Sequence, residues 1–126
     1  MRILLDTHLL LWWLEDSPSL SFQARETIRD PENTVFVSAV SLWEIWLKQS
    51  LGKLRLPNDF TERLAAESFE TVPLTASQTR QVSLLPWLHR DPFDRMLIAQ
   101  AQVEKLVLLT SDEALAAYGP IVRLAR

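Results

Sequence analysis

The sequence predicts an α/β fold with a mainly parallel central sheet of four to five strands flanked by helices. Three observations carry this. Strand-like and helix-like segments alternate along the chain. The best strand candidates, ending near Leu5, Ser38 and Thr110, are continuously apolar or β-branched, as suits strands covered on both faces. The length of 126 residues fits a single domain spanning residues 1–126. In such a fold the crossovers are right-handed, and strand C-termini meet helix N-termini at one edge of the sheet. Ligands bind at that edge, where the strand order reverses.

The elements follow in order. Residues 2–5 form a short apolar strand leading into Asp6, and residues 7–15, rich in Leu and Trp, form a helix. A turn at Ser17-Pro18-Ser19 precedes a helix over 21–29, which Asp30-Pro31-Glu32-Asn33 ends. Residues 34–38 (TVFVS) are a second strand. A helix over 41–51 ends where Gly52 supplies a C-terminal cap. Pro57-Asn58-Asp59 opens a helix to about residue 68. Residues 69–74 are a weaker strand, because Pro73 lies in them. Residues 75–84 are helical up to the break at Pro86. A helix over 91–105, a strand over 106–110, a short helix over 112–117 and an edge strand over 121–124 complete the chain.

Composition excludes several classes. There are no cysteines, which removes a disulfide scaffold, a thiolate zinc site and a thiol nucleophile. The net charge is −3, so nucleic acid would be held by a local basic patch rather than by bulk charge. The apolar N-terminus is interrupted by Asp6 and His8, and the uninterrupted apolar stretch at 9–14 is too short to span a membrane. No membrane association and a cytoplasmic location are the expectations.

The fold brings four carboxylates to the ligand-binding edge. Asp6 ends the first strand, Glu44 lies early in the helix after the second, Asp94 lies in the first turn of the helix at 91–105, and Asp112 follows the strand at 106–110. Asp91 lies there too, three residues before Asp94. Crowded carboxylates repel one another, and a hard divalent cation such as magnesium or manganese relieves that repulsion with oxygen ligands. Such an ion suits phosphoryl chemistry. Each acid also has a plainer role. Asp91, Asp112 and Asp6 can cap helices, Asp94 falls at the capping-box position after Asp91, and Glu44 can pair with Lys48 one turn on. Yet Leu42, Trp43, Ile45, Trp46 and Leu47 make that helix apolar almost all round, which predicts extensive burial with Ser41, Glu44 and Lys48 as one polar stripe. A buried glutamate there needs a partner. The five tryptophans, Trp12, Trp13, Trp43, Trp46 and Trp87, are expected mostly in the core, with one of the adjacent Trp12 and Trp13 facing out.

Four motifs carry these acids: Leu4-Leu5-Asp6-Thr7; the serine-rich strand end Ser38-Ala39-Val40-Ser41 running to Glu44-Ile45; Asp94 ahead of Leu97-Ile98-Ala99-Gln100-Ala101; and Thr110-Ser111-Asp112. In these motifs the chain resembles the PIN-domain family, specifically its VapC-like ribonuclease toxins of bacterial toxin–antitoxin systems. The resemblance covers essentially the whole chain. It departs at Ser111, where members often carry Arg. Asp94 is preferred over Asp91 as the third acid because it has the family's usual distance to the fourth.

The resemblance implies a metal-dependent endoribonuclease, the toxin of a toxin–antitoxin pair, hydrolysing RNA phosphodiesters through a metal-activated water. Asp6, Glu44, Asp94 and Asp112 would be catalytic and hold Mg2+ or Mn2+, with Asp91 as an auxiliary ligand. Thr7, Ser41 and Thr110 would orient those ligands. Lys48, Arg90 and Arg95 are the candidates to hold the RNA backbone. A cognate antitoxin, whose C-terminal segment lies against the early helices in related toxins, and a homodimer are the implied partners. A catalytically inactive PIN-like interaction module is the alternative. A haloacid-dehalogenase-like phosphatase would need Asp-x-Asp after the first strand, and Asp6-Thr7-His8 lacks it. A receiver domain would need an acidic pair before its first helix and a Lys after a late strand, and neither is present.

Overall fold

The computed structural model describes all residues, 1–126. Five strands form one sheet: β1 (Arg2–Leu5), β2 (Thr34–Ser38), β3 (Glu70–Val72), β4 (Val107–Thr110) and β5 (Val122–Leu124). Their order is β3-β2-β1-β4-β5, and every pairing is parallel. The fold class and all five strands read from the sequence are present. From β1 the chain builds outward to β2 and β3, then crosses back to β4 and β5 on the other side. The order therefore reverses between β1 and β4, and the crevice at their C-terminal ends is the place where this architecture binds ligands.

Six α-helices cover the two faces: α1 (Thr7–Leu14), α2 (Phe22–Arg29), α3 (Ala39–Ser50), α4 (Phe60–Ala66), α5 (Ala76–Ser83) and α6 (Pro92–Glu104). The segment after β4 is a 3₁₀ helix over Glu113–Tyr118 rather than an α-helix. No helix is long and apolar enough to cross a membrane. Side chains alternate across a strand, so Ile3 and Leu5 enter one core with Val35, Val37 and Leu109, while Leu4 enters the other with Phe36, Val72 and Leu108. Leu9 and Leu10 of α1 close the first core, and Leu97 and Ile98 of α6 close the second. Each such fully buried Leu or Ile contributes about 2 kcal/mol.

The helix ends obey the expected chemistry. Gly52 follows α3 with φ +73°, and Lys53 N–H reaches back to the Lys48 carbonyl at 2.8 Å. Asp91 caps α6 by accepting the N–H groups of Phe93 and Asp94, with Pro92 in the first helical position. A chain of polar side chains ties the end of β2 to α6 and α5. Ser38 Oγ donates to Gln100 Oε1, Gln100 Nε2 to Gln78 Oε1, and Gln78 Nε2 to Glu104 Oε1.

Two expectations about the tryptophans are corrected. Trp43, Trp46 and Trp87 are exposed, and so is Leu47. The polar stripe of α3 turns inward instead: Ser41 and Glu44 are buried, because α3 presents that stripe to α1 and α6 at the sheet edge. Trp12 and Trp13 are both half-buried, and Trp13 Nε1 donates to Glu67 at 2.8 Å.

Candidate metal centre

Asp6 leaves β1 as the N-cap of α1 and is 2% exposed. Its Oδ1 accepts the His8 N–H, and its Oδ2 accepts the Thr110 hydroxyl at 2.5 Å. The Thr110 hydroxyl in turn accepts the Asp112 N–H at 3.0 Å. One side chain thus joins the acid after β1 to the backbone of the acid after β4. Burial pushes the Asp6 carboxyl up, but the hydrogen bonds and the His8 imidazole 3.8 Å away outweigh it, so its pKa is lowered. The same carboxylate raises the His8 pKa.

Glu44 enters from α3 and is 3% exposed. Lys48 Nζ donates to its Oε2 at 2.6 Å, the pairing one turn on that the sequence allowed. That contact raises the Lys48 pKa, and the charges of Asp91 and Asp94 add to it. Glu44 Oε1 is buried with no hydrogen-bond partner. A buried carboxylate oxygen left this way is costly. Beside it, Thr7 Oγ1 donates to Ser41 Oγ at 2.8 Å, which fixes the N-terminus of α1 against α3.

Asp94, in the first turn of α6, carries the largest perturbation. Burial, then the charges of Asp6, Asp91 and Glu44, push its pKa up to about 7, with His8 opposing. The fields of three other acids converge on this carboxyl. Asp112 caps the 3₁₀ helix through Oδ1, which accepts the Ala114 N–H at 3.0 Å. Its Oδ2 lies 3.6 Å from His89 Nε2, and so does Asp94 Oδ2.

The structure separates the three expected RNA contacts. Arg90 is exposed, and Lys48 is half-buried against Glu44. Arg95 is 3% exposed and faces away from solvent. Its guanidinium donates to the carbonyls of Pro86 at 2.9 Å and Val82 at 3.1 Å and to the Tyr118 hydroxyl at 3.1 Å, and lies 3.7 Å from the centroid of the Trp87 ring. It is an internal clamp on the loop between α5 and α6. Replacing Arg95 with Met strands those carbonyls, and urea unfolding is expected to show a loss of about 3 kcal/mol; a loss below about 1 kcal/mol would contradict the clamp. His89 is the site residue that the acidic motifs missed. The signal was its place in the stretch His89-Arg90-Asp91-Pro92-Phe93-Asp94, five residues before the third acid.

The parallel sheet, its strand reversal and the acids gathered there define the class: the PIN-domain model matches residues 3–119, and the chain belongs to the PIN-domain family. Among curated proteins the chain is similar to Ribonuclease VapC22 of Mycobacterium tuberculosis, with 32% identity over 116 residues, covering 90% of this chain and 88% of that protein. Its fold is similar to the VapBC2 complex of Rickettsia felis bound to a promoter DNA fragment (TM-score 0.72, 18% identity, 99% of this chain and 98% of that one). It is also similar to VapBC-5 of Mycobacterium tuberculosis (TM-score 0.62, 20% identity, 99% and 98%).

Proposed function

We propose that this chain is a magnesium- or manganese-dependent endoribonuclease, acting in the cytoplasm as the toxin of a toxin–antitoxin pair. The observation that carries the metal is Glu44 Oε1, a buried carboxylate oxygen with no partner beside the raised Asp94. A cation among Asp6, Glu44, Asp94 and Asp112 supplies that partner and offsets their mutual repulsion. All four offer oxygen, which suits Mg2+ or Mn2+. Asp91 is engaged as a helix cap through Oδ1, so it acts on the site through its charge and as an auxiliary ligand.

When bound, the ion supplies a nucleophile at neutral pH and stabilises charge on the phosphate oxygens. The chain's own residues hold the geometry. Thr110 fixes Asp6 relative to Asp112, the Thr7–Ser41 bond fixes α1 against α3, and Lys48 holds one oxygen of Glu44 so that the other is free. Lys48 and Arg90 supply positive charge for the RNA backbone at the mouth. The ribonuclease reading is supported by the 32% identity to Ribonuclease VapC22. The VapBC complexes among the structural neighbours support an antitoxin partner, and a homodimer fits the family resemblance.

The test is cleavage of single-stranded RNA by antitoxin-free protein. Excess EDTA should abolish cleavage, and Mg2+ or Mn2+ should restore it, giving 5′-phosphate and 3′-hydroxyl ends. Full cleavage in excess chelator would overturn the mechanism.

A further inference from the structure

The loop between α5 and α6 aims His89 into the acidic centre. His89 Nδ1 accepts the Asp91 N–H at 3.1 Å. A neutral imidazole carries one proton, so here it sits on Nε2. Nε2 faces Asp94 Oδ2 and Asp112 Oδ2 at 3.6 Å each, beyond hydrogen-bond range, so neither carboxylate takes that proton as a bond. We propose that His89 is a catalytic residue whose Nε2–H donates a hydrogen bond to a non-bridging oxygen of the scissile phosphate. This rests on the ribonuclease reading above.

Three features support a donor. The first is the ring's orientation. Ligating a metal through Nε2 needs the lone pair there, which puts the proton on Nδ1, where the Asp91 N–H already points. The second is rigidity. Arg95 grips the Pro86 and Val82 carbonyls and stacks on Trp87, and Tyr118 also donates to Pro86, so the loop is held before substrate arrives. The third is the chemistry of the surroundings. Asp6, Glu44, Asp94 and Asp112 offer only acceptors when ionised, and a phosphate oxygen needs donors. Lys48 is hydrogen-bonded to Glu44 and offers the RNA its charge from there, Arg90 is exposed at the mouth, Arg95 is committed to the loop, and His8 lies beside Asp6. His89 is the donor that stands between Asp94 and Asp112, on the side where Asp112 opens to solvent.

The experiment compares wild type, His89→Ala and His89→Gln, using RNA cleavage with Mg2+, Mn2+ binding by electron paramagnetic resonance, and thermal unfolding. The bond strengthens as charge gathers on the phosphate oxygen, so His89→Ala should lower kcat by about 10²-fold. KM should move less than about threefold. His89→Gln keeps an N–H near the same place and should recover at least about a tenth of the wild-type rate. Mn2+ affinity should stay within about twofold in both variants, and the wild-type Mn2+ spectrum should show no nitrogen coupling, as a donor role requires. Unchanged cleavage in His89→Ala overturns the proposal. So does His89→Gln performing no better than His89→Ala at equal Tm. Nitrogen coupling together with a tenfold or greater loss of Mn2+ affinity also overturns it, making His89 a ligand. Wild-type protein that cleaves no RNA removes the ribonuclease reading itself, whereas active wild type with an equally active His89→Ala removes only the donor.

Discussion

Asp94→Asn should reduce RNA cleavage by about 10³-fold or more, because it removes a carboxylate that would hold an ion worth several kcal/mol in the transition state. Asp91→Asn should cost about tenfold or less, since Asn caps a helix about as well as Asp and the bonds to Phe93 and Asp94 N–H survive. The two residues lie in one turn, yet their surroundings differ. Asp91 has its Oδ1 saturated by backbone. Asp94 is pushed up to about 7 by burial and by the charges of Asp6, Asp91 and Glu44. Steady-state cleavage with saturating Mg2+ makes the comparison. Equal and total loss in both variants would mean that Asp91 is as essential a ligand as Asp94 rather than an auxiliary one.

In chelator, the protein should become less stable as pH rises from about 4 to 8, the reverse of ordinary acid denaturation. The sign follows from linkage. The folded-state pKa of Asp94 is raised, from 3.8 to about 7. Below 3.8 the carboxyl is protonated in both states and costs nothing. Between the two values the unfolded chain ionises first, and stability falls until the folded carboxyl also ionises. A shift of that size corresponds to roughly 4 kcal/mol. His8 acts in the same direction. Its pKa is raised above 6.5, so its contribution is present at low pH and lost as pH climbs through the folded value. Asp6 works in the other direction but below this range, because its lowered pKa gives stability that is complete above 3.8 and disappears as pH falls through its folded value. Urea unfolding across this range, with EDTA and with Mg2+, tests the balance. In EDTA the wild-type midpoint should drop towards pH 8 while Asp94→Asn drops much less, and Mg2+ should recover the wild type. A flat or rising wild-type midpoint in EDTA would contradict the assignment.

Much of this site was legible from local pattern. Asp6 and Asp112 follow continuously apolar strands, so their place at the C-terminal edge came from strand identity alone. Glu44 and Lys48 are one helical turn apart, which predicted their contact. The rest depended on contacts between distant segments. Arg95 looks like a surface cation in a polar stretch, and it is buried because carbonyls at Val82 and Pro86 converge on it. The apolar girdle of α3 suggested full burial, but periodicity cannot say which side of an all-apolar helix meets the sheet, and Trp43 and Trp46 stay outside. His89 meets Asp112 only through the folding of the intervening α6 and β4.

The Thr110 hydroxyl, donating to Asp6 and accepting from Asp112, joins positions 104 residues apart at its longer reach. That span has a temporal consequence. Chains emerge from the ribosome at roughly 5–20 residues per second. Asp6, Glu44 and Asp94 are all made before the strand that orders Asp6 exists. A nascent chain therefore carries its first three acids unassembled until β4 has been made, and the centre closes only as β4 slides in beside β1. A ribonuclease built on this topology would be harmless to the message encoding it until that strand has been made.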